Sequence, residues 1–240
     1  FMCSSCSAGS IDGFTLRGTP DGDASCGVWW DQSSLTLSNL RVTQNQARRV
    51  GAVHCVNGSS PLIRNCIIDR NQNNGSGGAH GGGITVAGGN PTIINCTIVT
   101  NNPTTRRGGD GIYVTGGNPT IKNCIIWGNG DDVENLTTNM ISYCDIEDGD
   151  FNTTNGCLSL DPFFVDPAGA DYHVRSRAGT WNGSAWVLYS VVSPVIDAGD
   201  PKSDYSKEQE PNGRRVNLGA YGNTAEASKT YRPGTMIMFQ

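Results

Sequence analysis

Apolar and polar positions alternate along the first two thirds of the chain in a unit that recurs every 26 to 30 residues. The clearest unit spans residues 90–101. Its core, Asn-(Cys/Leu)-x-(Ile/Val)-x-x-Asn, recurs with its first asparagine at Asn39, Asn65, Asn95 and Asn123. A repeat of this length is the sequence signature of a solenoid, in which each unit forms one coil stacked on the next.

Each unit predicts three short β-strands, because four-residue runs alternate between apolar and polar side chains. One strand precedes the repeat asparagine and one follows it. The third follows a glycine-rich loop as Gly-Ile-x-Val at 83–86 and 111–114, with looser copies at 27–30 and 52–55. Three strands per coil with a β-branched interior predict an all-β fold, a right-handed parallel β-helix or three-sheet β-solenoid. The side chains predicted to point inward are Ile63, Cys66, Ile68, Ile84, Val86, Ile93, Cys96, Ile98, Ile112, Val114, Ile121, Cys124 and Ile126.

Two repeat positions predict columns of like side chains. The first asparagine of each unit falls at the bend between two strands, where we expect stacked amides to bond to one another and to turn backbone. The next position holds cysteine at Cys66, Cys96, Cys124 and Cys144, which predicts a column of small buried apolar side chains.

The other cysteines are the better disulfide candidates. The chain has nine cysteines, so they cannot all pair within it. The candidates are Cys3 and Cys6, with Cys26, Cys55 and Cys157 elsewhere, and their pairing requires an oxidising compartment. Zinc is only weakly indicated, because no second closely spaced cysteine or histidine pair exists.

The presence or absence of the regular repeat divides the chain into three parts. Residues 11–159 hold the predicted coils. Residues 1–10 are a lead-in that we expect to continue from missing upstream coils or a leader. We expect residues 160–240 to form final irregular coils and a C-terminal cap, since a solenoid must cover its last rung. The bulky side chains that suit such a cap are Phe163, Phe164, Trp181 and Trp186.

These motifs resemble those of a known family. The Asn-Cys-x-Ile repeats, the Gly-Ile-x-Val strands and the endings at 193–201 and 217–222 look like right-handed parallel β-helix proteins of the pectin-lyase-like superfamily. More narrowly, they resemble bacterial extracellular β-helix repeat proteins with such a cap. The resemblance covers residues 10–225 and implies the fold and an extracellular or cell-surface location. It does not select a function, because that superfamily hosts lyases, hydrolases, adhesins and structural modules.

Composition narrows the possible partners. The chain has 32 glycines and a net charge of -5. A nucleic-acid binder would need a basic face, so no nucleic-acid partner is predicted. No run approaches the roughly 20 apolar residues that cross a bilayer, so no membrane span is predicted.

The resemblance implies a ligand groove on the outer face of the Gly-Ile-x-Val sheet. The central outward positions there are Trp29, His54, Thr85 and Tyr113, one per coil. Aromatic faces at rung spacing can bind sugar rings, although scattered exposed aromatics are also ordinary on a protein surface. Loops entering this sheet add Arg48, Arg49, His80, Arg106, Arg107 and Asp110. Arginine pairs among them could hold a carboxylate or sulfate of an acidic polysaccharide, and solvated loop charges are the alternative.

Catalytic chemistry is weakly indicated. A lyase acting on a uronate needs a base and a cation that neutralises the carboxylate, and the sequence offers only His54 with Arg106 or Arg107. No pair of carboxylates suits a hydrolase. Calcium could bind Asp131, Asp132 and Glu134 or the acidic residues of 145–150, but neither has EF-hand spacing. No cofactor or metal site is therefore predicted.

Two functional hypotheses remain. The preferred one is a structural, adhesive or carbohydrate-binding module of a surface or secreted assembly, with a polysaccharide or cell-surface glycan as partner. The alternative is a polysaccharide lyase that acts by β-elimination on an acidic glycan. Self-assembly through the solenoid ends is a further possibility, because those ends are strand edges.

Overall fold

The computed structural model describes residues 1–18, 26–47, 50–73, 81–101 and 110–233. In this part of the chain all regular structure is β-strand, and most strands belong to three parallel six-stranded sheets. No described segment forms a helix with the length and hydropathy needed to cross a bilayer. The all-β, three-sheet β-solenoid predicted from the repeats is confirmed.

Strands are numbered in chain order. Sheet 1 contains β1 (Met2–Ser4), β4 (Val28–Asp31), β8 (Val53–Val56), β12 (Ile84–Ala87), β15 (Ile112–Gly116) and β18 (Val133–Glu134). Sheet 2 contains β2 (Ser10–Asp12), β5 (Thr36–Ser38), β9 (Leu62–Arg64), β13 (Thr92–Ile94), β16 (Thr120–Lys122) and β19 (Ile141–Ser142). Sheet 3 contains β3 (Thr15–Arg17), β6 (Arg41–Thr43), β10 (Ile67–Asp69), β14 (Thr97–Val99), β17 (Ile125–Trp127) and β20 (Asp145–Ile146). Three small pairs complete the list: parallel β7 (Gln46–Ala47) with β11 (Gln72–Asn73), antiparallel β21 (Phe164–Asp166) with β22 (Asp171–Val174), and antiparallel β23 (Thr180–Trp181) with β24 (Trp186–Val187).

The core is built by like residues stacking on like. Ile93 of β13 pairs in register with Ile63 below and Ile121 above, and Ile98 of β14 does the same between Ile68 and Ile126. All the side chains predicted to point inward are buried. Burying one such side chain stabilises the fold by about 1.5–3 kcal/mol, and the register lets every coil fill the same cross-section.

The first asparagine of each repeat lies at the predicted bend but not in the predicted ladder. Asn39, Asn65, Asn95 and Asn123 adopt left-handed backbone conformations, with φ between 50° and 54°. Asparagine tolerates that region better than other residues with a Cβ. Asn123 Nδ2 lies 3.5 Å from Asn95 Oδ1, but the shorter hydrogen bonds of these asparagines are made to residues outside the column. Asn65 donates to the carbonyls of Ala220 and Gly222 at 3.0 and 2.8 Å, and Asn95 donates to Asn217 at 3.1 Å.

The asparagine ladder is formed instead by the last asparagine of each repeat. Asn45, Asn71, Asn101 and Asn129 are buried, and each Nδ2 donates to the Oδ1 of the next at 2.8–3.1 Å. The series ends where Asn129 donates to Asp132 Oδ1 at 2.9 Å. Each amide thus bonds to neighbouring coils inside the solenoid, where an unpaired polar group would be costly.

The cysteine column is confirmed as core. Cys66, Cys96, Cys124 and Cys144 are buried free thiols. Cys157 extends the column, since Leu158 N donates to the carbonyl of Cys144. Of the disulfide candidates, Cys3 and Cys6 are bonded, whereas Cys26, Cys55 and Cys157 are free and buried.

The C-terminal segment packs along the side of the solenoid. Val99 and Ile125 of sheet 3 pack in one cluster with Phe164, Tyr172, Val174, Val195, Ile196 and Leu218. Cys157 belongs to the core of the solenoid, and the partly buried Leu136 and Phe151 pack against this core. Trp181 and Trp186 face each other in the β23–β24 hairpin. This segment therefore covers the apolar outer face of sheet 3 and meets the donors of the bend asparagines, while the cap expected over the last rung stays a prediction.

The ladder generates a stability prediction. In Asn101→Ala, the carbonyl of Ile68, the amide of Asn71 and Asn129 Oδ1 lose buried partners, so we expect a loss of about 3–5 kcal/mol in the free energy of unfolding. Urea denaturation followed by circular dichroism measures the change. Asn118→Ala, at an exposed turn position of the following repeat, is the control and should change stability by less than about 0.5 kcal/mol. Equal midpoints for the two variants would contradict a stabilising ladder.

Candidate functional site

The predicted outward column of sheet 1 lies in register. Trp29 pairs with His54, His54 with Thr85, and Thr85 with Tyr113. Trp29 and Tyr113 are partly exposed, whereas His54 and Thr85 are 6% and 4% exposed. The column is therefore continuous, but its two central members are covered.

Local packing explains that burial. The His54 ring meets Trp29 edge-on, with centroids 4.6 Å apart, and Trp29 also packs against Cys26 and Val50. Thr85 Oγ1 accepts the Gly51 amide at 2.8 Å. Burial lowers the pKa of His54 to about 4, so its imidazole is neutral at physiological pH. His54 Nδ1 has no hydrogen-bond partner among the described residues, so none of their carboxylates orients the ring through this atom.

Asp110 lies at the edge of this sheet. Its carbonyl accepts the amides of Gly82 and Gly83, both at 2.9 Å, and its carboxyl is buried. Burial and the neighbouring Asp131 raise the pKa of Asp110 to about 7. The other predicted loop residues lie outside the described part of the chain: Arg48, Arg49, His80, Arg106 and Arg107.

The predicted calcium candidates make structural hydrogen bonds. Asp132 ends the asparagine ladder and accepts the Glu147 amide at 2.8 Å. Asp148 accepts the amides of Asp132 and Asp150 at 3.0 and 3.1 Å, and the buried Asp145 accepts that of Leu160 at 3.0 Å. Within the described ranges, no three histidine, cysteine or acidic side chains converge as metal ligands.

Sequence reasoning missed a cleft on sheet 3, which we term the flank groove. It runs between strands β3, β6 and β10 and the C-terminal segment. Its aromatic part has a volume of about 440 Å³ and places exposed Phe14 in the same cleft as Tyr221, beside partly buried Ile67. Asn39, Arg41, Asn65 and Glu226 supply polar groups along its sides.

The flank groove continues toward the ends of these strands. An arginine part of about 230 Å³ holds Arg17, Arg41 and Arg70, and shares Thr15 and Arg41 with the aromatic part. A glutamine part of about 330 Å³ follows, and it is joined to the arginine part through Gln44 and Arg70. The whole cleft therefore passes from an apolar surface to a cationic and then an amide-lined surface.

Buried Asp69 organises the arginine part. Arg41 donates from Nε and Nη2 to its two carboxylate oxygens at 3.0 and 2.6 Å. Tyr172 donates its hydroxyl to the same carboxylate at 3.1 Å, and Arg70 Nε lies 3.7 Å away. Arg70 also donates to the carbonyls of Pro167 and Ala168 at 3.0 and 2.6 Å. Both guanidinium groups are therefore held in place while their side chains remain about one-third exposed.

The wall opposite Phe14 depends on two further contacts. His173 stacks on Tyr221 with ring centroids 3.6 Å apart, and its Nδ1 lies 2.6 Å from Asp171 Oδ1. Glu208 Oε1 accepts the amides of Asn217 and Asn223 at 2.9 and 2.8 Å, on either side of Tyr221. These contacts fix the position of the tyrosine ring.

The flank groove could not be read from the repeats, because its two sides come from distant parts of the chain. Asn65 and Gly222, which join across it, are 157 residues apart. The arginines also occupy different repeat positions: Arg41 begins its strand, Arg17 ends its strand, and Arg70 follows β10. The sequence feature that could have indicated the flank groove is the aromatic Phe14, which is exposed and lies beside a strand of the repeat.

Comparison with known proteins gives one match. The family model described as "Disaggregatase related" matches residues 38–199, which is more than half of the chain. No curated protein matches, and no solved structure matches.

Glu208 generates a pH prediction. Burial raises its pKa from 4.5 to about 7, so the folded chain binds this proton more tightly than the unfolded chain. The contribution of the protonated carboxyl to the free energy of unfolding is complete below about pH 4.5. It is lost as the pH rises through about 7, and the loss amounts to up to about 3 kcal/mol. Glu208→Gln keeps the accepting Oε1 and should reduce the fall in Tm between pH 5 and pH 8. Tyr205→Phe, at a nearby position, controls for local substitution. An identical pH profile in Glu208→Gln would contradict this assignment.

Proposed function

The chain belongs to the disaggregatase-related family, and from this premise we propose that it is a non-catalytic carbohydrate-binding β-solenoid. It serves as a structural or adhesive module of a surface or secreted assembly, and its location is extracellular. The family is described as disaggregatase related. A module that binds the glycan holding cells or particles together would be consistent with that description.

The flank groove is the observation that carries this proposal. It is an open, elongated cleft, which admits a polymer chain more readily than a closed pocket does. Phe14 and Tyr221 offer apolar ring faces, and Asn39, Asn65 and Arg41 supply hydrogen-bonding groups beside them. An apolar surface with a few placed polar groups is the usual composition of a small-molecule or sugar site.

A rigid frame supports the same function. The bend asparagines Asn65 and Asn95 bind the C-terminal segment, and Ala220 N donates to Thr97 Oγ1 at 2.9 Å. The far wall of the flank groove is thereby fixed to the solenoid. A preformed cleft loses little conformational entropy when it binds a ligand.

Phe14 generates a binding prediction. Phe14→Ala should weaken binding of the selected glycan by roughly tenfold, because it removes an exposed ring face worth about 1–1.5 kcal/mol. A glycan array identifies the ligand, and isothermal titration calorimetry measures the affinity. Leu188→Ala removes an equally exposed apolar side chain from the β24 region and should leave affinity unchanged. Failure of the wild-type chain to bind any glycan would refute the proposed function.

The lyase remains a second candidate, because His54 is a neutral imidazole against the Trp29 ring in the sheet 1 column. Its cationic partners would be Arg106 or Arg107, which lie outside the described residues. In a binding module the column has a packing role, since His54 and Thr85 are covered.

An absorbance assay separates the two candidates. We expect no unsaturated uronate to appear when the protein is incubated with pectate, alginate or glycosaminoglycans. His54→Ala should also retain the wild-type affinity for the glycan bound in the flank groove. Product that forms with the wild type and disappears with His54→Ala or Arg107→Ala would establish the lyase instead.

A further inference from the structure

We propose that Arg17, Arg41 and Arg70 form an oxyanion subsite of the flank groove, which binds a carboxylate or sulfate group of an acidic glycan. This inference rests on the proposed function, because it names the ligand class for the same cleft. The site lies on sheet 3, on a different sheet from the outward column of sheet 1.

The three arginines come from three successive coils. Arg17 pairs in register with Thr43 on β6, and Thr43 pairs with Asp69 on β10, directly before Arg70. Neighbouring strands are about 4.8 Å apart, so side chains from the three coils can surround one group of atoms. All three arginines line the same cleft of about 230 Å³.

The hydrogen bonds that hold Arg41 and Arg70 in place leave some of their N–H groups available to a ligand. A guanidinium has five N–H groups. Arg41 uses Nε and one Nη2 hydrogen on Asp69, and Arg70 uses Nη2 on two carbonyls. The Nη1 groups of both remain, and Arg17 has no hydrogen bond or ion pair among the described residues. The planar Nη groups match the two oxygens of a carboxylate or sulfate edge.

The local charge is positive although the chain carries a net charge of -5. Three arginines face one buried carboxylate, that of Asp69, which leaves a surplus of two positive charges in this part of the groove. Glu226 belongs to the aromatic part, where its carboxylate lies 3.5 Å from His173 Nε2. A local surplus of positive charge favours an anionic ligand over a neutral one.

The positions of these groups are set before a ligand arrives. Asp69 is fully buried and holds Arg41 through two hydrogen bonds, while Tyr172 binds the same carboxylate from the C-terminal segment. Arg70 is fixed by the carbonyls of Pro167 and Ala168. Two of the three cations therefore need no reordering on binding, and exposed Arg17 can close on the ligand from the first coil.

The test uses the full chain with three probes in calorimetry: dextran sulfate, polygalacturonate and neutral dextran. We expect both acidic probes to bind more tightly than dextran. Arg17→Gln should weaken their binding about tenfold, the usual effect of losing one charge-assisted hydrogen bond. It should leave dextran binding unchanged. Raising NaCl from about 0.05 M to about 0.5 M should weaken acidic binding in the wild type and much less in Arg17→Gln.

Arg64→Gln is the matched control, because Arg64 is an exposed arginine on β9 of sheet 2 and should not affect binding. Preference for dextran sulfate over polygalacturonate identifies a sulfate ester, and the reverse identifies a carboxylate. Equal binding of neutral and acidic probes, or equal effects of Arg17→Gln and Arg64→Gln, would overturn the subsite while leaving carbohydrate binding intact. Absence of binding to all probes and to the glycan array would overturn both proposals.

Discussion

The buried ladder of Asn45, Asn71, Asn101 and Asn129 is the interaction on which the rest of the structure depends. Each side-chain amide donates to the next asparagine and to a carbonyl of the preceding coil, as Asn101 does to Asn129 Oδ1 and Ile68 O. A shift of one coil by one residue would leave these donors and acceptors unpaired inside the solenoid. The ladder therefore fixes the register of the apolar stacks beside it.

The end of the ladder follows from the same requirement. A series of side-chain amides leaves the Nδ2 of its last member without an acceptor. A further asparagine would accept this hydrogen bond but would have an unpaired Nδ2 of its own. Asp132 solves it, because its carboxylate accepts from Asn129 Nδ2 and from the Glu147 amide without presenting a donor of its own. Burial raises the pKa of Asp132 to about 6, so the carboxylate is mostly ionised near neutral pH. The acidic side chain of Asp132 therefore serves the fold by completing the ladder.

The sequence was informative where the structure depends on local alternation and on the period. Strand positions, inward side chains and the bend at each repeat asparagine all follow from those two features. The choice of ladder asparagine did not, because both asparagines of the unit recur with the same spacing. Only the packing distinguishes them: Asn101 lies inside the coil, whereas Asn65 faces outward to Ala220 and Gly222. The placement of the C-terminal segment was hidden for a related reason, since it depends on contacts between residues more than 100 positions apart.

The two candidate surfaces differ in the same way: local alternation predicts one of them, and contacts between distant residues form the other. Alternation correctly put Trp29, His54, Thr85 and Tyr113 in one column, but it carries no information about the Gly51 segment that covers Thr85. Conversely, the outward positions of sheet 3 become one side of a cleft only through a segment that is distant in sequence.

The charge pattern of that cleft separates a structural ion pair from a binding surface. Burying Asp69 costs several kcal/mol, and one well-aligned arginine with the Tyr172 hydroxyl is the kind of compensation such a carboxylate requires. Arg41 and Tyr172 already supply it through hydrogen bonds of 2.6–3.1 Å. Arg70, at 3.7 Å, adds positive charge beyond this compensation while its Nη2 holds the carbonyls of Pro167 and Ala168. Arg17 makes no ion pair within the described residues, so its charge is the one that neither the Asp69 pair nor the packing of the C-terminal segment uses. Like charges gathered in one cleft repel one another unless an anion or solvent lies between them, which is the physical basis of the proposed anionic ligand.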